Sequence, residues 1–360
     1  MNAQREKFLR EELRVFTRRS NVLGYSAALL DGVIFAAAVY LACTSRSMWL
    51  QGLFSVIAGT MISTLFVLAH DACHGSLVRH RRGNAILARL LLLPSLHNLT
   101  LWKIQHNRMH HQESNVQGVN SWSPMSVKEF AALPAWKQWR ERMYRSGGFG
   151  PYYLVERWLK HKFYPGAGVR GALRRRAQRD FSMLIAWLGA WSLAAVFAGA
   201  SVGNPWHVSL AWGVVVPFLL WNCLMGLTVY LQHTHPDVPW FRSAADAERH
   251  GAQELTVHVK YPRWYGILSH DIMEHPAHHI HPLIPFYRLR AAQERLTELL
   301  GKEAIVEPMT PLYVLRLIRR CRAYDYERRA WVGFRDKVAP QVAAEGDIVP
   351  GLVPDGMEVA

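Results

Sequence analysis

Histidine is the residue type whose spacing suggests chemistry first. Eight of the 18 histidines fall into three tight groups: His70-Asp-Ala-Cys-His74, His106-Asn-Arg-Met-His110-His111 and His275-Pro-Ala-His278-His279. Residues three or four apart share a helix face, so each group can present two imidazoles to one point. Neutral imidazole is a ligand for iron, zinc, copper and nickel. Eight such rings exceed what a single ion accommodates and suit a pair of ions. A lone pair of histidines at this spacing is common by chance, whereas three such groups in one chain are not. His80, His97, His161, His207, His250 and His258 stand alone and read as surface or packing residues, with His270 and His281 secondary candidates.

The elements that must position these rings are unusually apolar. Residues 22–42 carry one charge, Asp31, and residues 49–69, 181–203 and 207–230 carry none. Each has the roughly 20 residues needed to span a bilayer as a helix. Short links, Cys43 to Met48 and the stretch around Asn204, join them into two helical hairpins. The chain has 42 Lys+Arg against 27 Asp+Glu, yet Arg46 is the one basic residue in either link. Positive charge marks the cytoplasmic side of a membrane. Both termini and all three histidine groups are therefore expected on that face, in a bacterial inner membrane. His70 directly follows the second apolar segment, and His233 ends the fourth, in Leu231-Gln232-His233-Thr234-His235-Pro236. A histidine there is costly unless used, which makes His233 a ninth candidate ligand and His235 a weaker one.

Several classes are excluded. A chain that is 50% hydrophobic is not a disordered basic tail, and 25 Gly and 4 Cys fit neither collagen nor a disulfide scaffold. Cys43, Cys73, Cys223 and Cys321 form no CxxC pair, in keeping with a reducing compartment. With the basic residues accounted for by membrane orientation, no nucleic-acid partner is needed. The expected fold is an all-α integral membrane protein: four transmembrane helices in two hairpins, with a helical cytoplasmic cap carrying the histidines. Residues 1–21, with Phe8, Glu12, Leu13 and Phe16 at helical spacing, read as an interfacial helix; 22–300 form the membrane domain, 301–337 a cytoplasmic helical segment and 338–360 a flexible tail. Asp31, inside the first apolar segment, has no assigned role.

The set HxxxH, HxxxHH and HxxHH with this topology resembles the membrane fatty acid desaturase superfamily, and Leu231–Pro236 looks most like its Δ12/ω6 acyl-lipid branch. The resemblance covers about residues 25–300. It implies an O2-dependent desaturase that introduces a double bond into a long acyl chain at two non-haem iron ions. The implied ligands are His70, His74, His106, His110, His111, His275, His278 and His279, with His233 matching a further family histidine. Cys73 stands where the family usually has glycine. Asp71, Glu113, Asp271 and Glu274 are candidates to orient the rings through their outer nitrogens. Trp102, Trp122, Trp221, Tyr230 and Trp264 are candidates to line an acyl tunnel. Trp136, Trp139, Tyr144, Tyr152, Tyr153 and Trp158 are assigned to the membrane interface.

Dioxygen chemistry consumes electrons, and the sequence carries no dinucleotide fingerprint, haem attachment motif or iron–sulfur cysteine set. An external donor, ferredoxin or a b-type cytochrome, is expected. The partners are then membrane lipids and an acyl substrate carried on lipid, CoA or a carrier protein. Rivals are an acyl hydroxylase or acetylenase, and a sterol, carotenoid or alkane oxygenase of the same superfamily. A histidine-rich metal transporter would need ligands near the bilayer midplane, and a zinc hydrolase needs far fewer.

Overall fold

The computed structural model describes residues 2–106 and 113–336. His110 and His111, and the expected tail at 338–360, lie outside the described residues. The chain is mostly helical, and four helices are long and apolar enough to cross a membrane: Asn21–Thr44, Met48–His74, Gly171–Ala200 and Trp206–His233. The first starts where the Ser20 hydroxyl accepts the Leu23 N–H. The second ends at Gly75, whose φ of 75° is the left-handed conformation that glycine adopts without a Cβ penalty. Its 27 residues span about 40 Å at 1.5 Å per residue. That exceeds a hydrocarbon layer of about 30 Å, so an apolar helix of this length can carry His70 and His74 on its final turns, beyond the layer.

The fourth long helix contains a π-helical stretch, Ala211–Val215, just before Pro217. Proline has no N–H to give to the turn behind it, and a widened turn accommodates that loss. The helix continues to His233, past the expected end at 230, because the apolar run passes unbroken through Leu231. The third starts at Gly171 rather than 181, its first turns carrying Arg174, Arg175, Arg176 and Arg179.

The second and fourth helices pack closely at Gly59, where an added Cβ would lie 2.8 Å from the Pro217 carbonyl oxygen. Around them Phe35, Ile62, Phe66, Trp102, Trp191 and Trp221 form the largest apolar core. A second core holds Trp122, Tyr144, Tyr230, Val257, Tyr313 and Leu317. Of the aromatics expected at a membrane interface, Trp136 and Trp139 are exposed, whereas Tyr144 and Tyr153 are buried. Each buried hydroxyl has found a polar partner: Tyr144 meets Glu156 at 3.2 Å, and Tyr153 meets His97 at 3.0 Å.

The N-terminal helix, Asn2–Leu13, is followed by a 3-10 turn at Arg14–Thr17. Its buried face is only partly the expected one: Leu13 and Phe16 face inward, but Leu9 takes the place of Phe8. Leu9 and Leu13 pack against Ile280, Ile284 and Leu289, with Phe16 partly covered, while Phe8 stays 54% exposed. Arg10 donates from Nε to the Ile280 carbonyl at 3.1 Å, and Glu12 pairs with Arg295 at 2.7 Å. The helix thus braces the short helix His275–Ile280 that carries the third histidine group. The all-α expectation also needs a correction. His258–Lys260 pairs in parallel with Val306–Pro308, and Ala323–Asp325 pairs antiparallel with Ala330–Val332. Three-residue strands are too short to show alternation in a sequence.

Candidate metal centre

Ring nitrogens from His70, His74, His106 and His278 lie within 4.8 Å of one another, and so do those of His233, His275 and His279. Neither group coincides with a sequence cluster. The first joins rings from all three clusters, and the second joins the end of the fourth long helix to the third cluster. The split follows from helix geometry. On His275–Ile280, His275 and His279 are four apart and share a face, while the adjacent His278 and His279 point about 100° apart. His278 therefore joins His70, at a ring separation of 4.4 Å, and His275 joins His279, also at 4.4 Å. The two groups are neighbours, since the His278 and His279 rings are 6.0 Å apart.

Each group contains a ring whose outer nitrogen meets a fixed acceptor. His233 Nδ1 lies 3.1 Å from the Leu255 carbonyl oxygen. A carbonyl can only accept, so Nδ1 carries the proton and Nε2 keeps its lone pair. That lone pair faces His275 Nε2 at 3.0 Å. His70 Nδ1 lies 3.3 Å from Asp71 Oδ1, and the other oxygen of this buried carboxylate accepts the Phe286 N–H at 2.7 Å. The Leu255 carbonyl thus presets the ligand tautomer of His233, and Asp71 does the same for His70 when it is ionised. Converging neutral imidazoles with their lone pairs inward fit a divalent first-row metal.

The other expected carboxylates do different work. Glu274 pairs with His258 at 2.5 Å and with Arg290 at 3.4 Å. Asp271 accepts from Arg290 at 2.9 Å and from Arg263 at 3.4 Å. Glu113 makes no hydrogen bond or ion pair to the seven grouped histidines among the described residues. His235 faces Glu307 at 3.2 Å, outside both groups. His270 pairs with Asp31 at 2.7 Å, which gives the charge inside the first long helix a partner. His270 and Asp271 both have φ of 52°, a left-handed turn that side chains disfavour. The Asp31 pair and the Arg290 pair hold that turn, five residues before His275. The second helical anchor, Gln293 accepting the Ala277 N–H at 2.9 Å, carried no signal in the sequence.

A cavity of about 320 Å³ runs between the second and fourth long helices, and His70, His106 and His275 form part of its wall. Trp102, Trp221 and Trp264 line it as well, whereas Trp122 and Tyr230 do not. Both of the latter are held in the second core, where the Trp122 indole donates to the Gly226 carbonyl at 2.9 Å.

A mostly helical chain, with four helices suited to a bilayer and two histidine groups suited to a metal, defines a membrane-associated, metal-binding class. The comparisons narrow it. A family model described as fatty acid desaturase matches residues 47–310. The chain is 29% identical over 309 residues to the chloroplastic omega-6 fatty acid desaturase of Spinacia oleracea, covering 82% of this chain and 64% of that protein. It is 30% identical over 276 residues to the sn-1 oleoyl-lipid 12-desaturase of a Synechocystis species, covering 75% and 74%. It is 29% identical over 287 residues to the sn-1 acyl-lipid omega-3 desaturase (ferredoxin) of Synechocystis, covering 78% and 76%. The chain belongs to the fatty acid desaturase family. It spans 64% of the length of the spinach relative. The family is one that uses iron.

Proposed function

We propose that this protein is an O2-dependent acyl-lipid desaturase with two iron ions. The observation that carries the reading is the pair of converging histidine groups, of which His70, His106 and His275 reach the wall of one cavity. His70, His74, His106 and His278 would hold one ion, and His233, His275 and His279 the other, with His110 and His111 completing the set. Bound iron supplies the reduction of dioxygen that removal of hydrogen from an unactivated chain requires.

The chain's own residues do the rest. Asp71 and the Leu255 carbonyl keep His70 and His233 in the ligand tautomer. Trp102 and Trp221 wall off the cavity beside His70, so that an acyl chain rather than water occupies the space. The relatives' names support a lipid-linked oleoyl chain as substrate and ferredoxin as electron donor. The basic surface of the histidine side suits an acidic donor.

In this reading the four long helices form two hairpins, and the termini, the histidines and the helices around them form a cytoplasmic cap. The distribution of Lys and Arg supports that orientation. Residues 22–300 are the catalytic membrane domain, 301–337 complete the cap and 338–360 form a tail.

Expression in a host lacking polyunsaturated lipids, followed by mass spectrometry of the acyl chains, tests the reading. A new double bond in lipid-linked chains is expected. His110→Ala and His278→Ala should each abolish product and lower bound iron. Full activity in both variants would refute the assignment.

A further inference from the structure

The cavity wall is not uniformly apolar. Besides the histidines it carries Arg157 and Lys162, from the helix Tyr153–Phe163, together with Asn120 and Ser121. Among the described residues no Asp or Glu contributes to it. Lys162 is only 7% exposed, and its ammonium donates to the Tyr153 hydroxyl at 3.1 Å. Arg157 reaches one carbonyl, that of Val119, at 3.5 Å, and its Nε has no partner. Among the described residues neither cation has a carboxylate within ion-pair distance. Asn120 is 4% exposed, and neither its amide nitrogen nor its oxygen is hydrogen-bonded.

Buried polar groups are normally paired, because an unpaired one forfeits its hydration with no return. Here an unpaired amide and two basic side chains without a carboxylate partner line one cavity. Burial, with the nearby Arg157 charge, lowers the Lys162 pKa well below its ordinary value, as expected of an ammonium without a counter-charge. A ligand that brings anionic oxygen to this place relieves all three groups, since Lys, Arg and the Asn amide nitrogen are all donors.

We propose that Lys162, Arg157 and Asn120 form a binding site for the anionic oxygens, carboxylate or phosphate, at the polar end of an amphiphile whose chain fills the cavity. The proposal rests on reading that cavity as an acyl site, and it adds that the occupant is charged. An amphipathic helix with exposed Leu159 and Lys160 gives no hint of this in sequence, because Lys162 there looks like one more solvated basic residue.

The test uses the full chain in neutral detergent and the fluorescent fatty acid cis-parinarate, whose emission reports entry into an apolar site. Its uncharged methyl ester serves as the neutral probe. The wild-type protein is expected to bind parinarate about tenfold or more tightly than the ester, the scale of one charge-assisted contact. Lys162→Met and Arg157→Met should each remove most of that preference while leaving ester binding intact, which also shows that the variants fold. Lys162→Arg should restore it. Competition then identifies the source: displacement by oleate alone marks a free carboxylate, and displacement by dioleoyl phosphatidate alone marks a lipid phosphate. Equal binding of acid and ester to wild type, with no effect of either Met variant, overturns the anionic site while the acyl cavity stands. Failure of both probes to bind wild type overturns the acyl cavity and this site with it.

Discussion

If the two histidine groups each hold an ion, as proposed, Asp71→Asn should weaken the binding of one ion and leave the other. Asp71 accepts twice, from His70 Nδ1 at 3.3 Å and from the Phe286 N–H at 2.7 Å. The asparagine must keep its oxygen on the Phe286 donor, since its NH2 there would set donor against donor. The NH2 then faces His70 Nδ1. Either two donors confront each other, or His70 moves its proton to Nε2, the nitrogen offered to His74, His106 and His278. The first outcome loses ring orientation, and the second blocks the lone pair. Loss of such an orienting partner costs about 10- to 100-fold in metal affinity, or roughly 1.4–2.8 kcal/mol. The His233, His275 and His279 group has its own support at the Leu255 carbonyl and should be unaffected. On the proposed two-ion reading, iron per chain, measured across a chelator titration, should therefore fall from two to one at about 10- to 100-fold less chelator than in wild type. Retention of both ions at the wild-type chelator concentration would show that the carboxylate does not set the His70 tautomer.

Two further predictions test the frame around the site. Gly226→Ala, in the fourth long helix, drives a methyl group into the backbone carbonyl of Phe149, in the short helix Phe149–Tyr152, and overpacking of this kind should lower unfolding stability in detergent by about 1–3 kcal/mol; an unchanged melting temperature would show that this close contact is not needed for stability. Asp31→Ala leaves His270 without its 2.7 Å partner at a left-handed turn, and breaking a buried pair should cost about 3 kcal/mol. Asp31→Asn, which keeps an acceptor, should cost clearly less, and equal losses in the two variants would mean that the pair is not what holds the turn.

Much of this was legible in the sequence, and the reasons are local. Ligand spacing and apolar runs are properties of a single helix, so His70 and His74, or the stretch from Val22 to Ala42, announce themselves without any partner. The N-terminal helix was legible as an element but not as a face, because the choice between Phe8 and Leu9 depends on which surface it docks against. Glu274 and Asp271 lie as close in sequence to the histidines as Asp71 does. They turn instead to His258, Arg290 and Arg263, since a carboxylate follows the nearest positive or donor group in space. Trp122 and Tyr230 were drawn from the cavity into another core for the same kind of reason.

The amino-acid sequence by itself determined the histidine spacing, the four long helices and the family, since each is written in residue type and short-range periodicity. Tertiary structure decided how the histidines divide. Among the described residues no sequence cluster forms a metal group alone, because the adjacent rings of His278 and His279 diverge and are completed by residues up to about 200 positions away. It also decided which polar groups are stranded inside the cavity. Lys162, Arg157 and Asn120 come together only when a basic helix and a loop close over the same space, and burial without a counter-charge is a property of that packing alone.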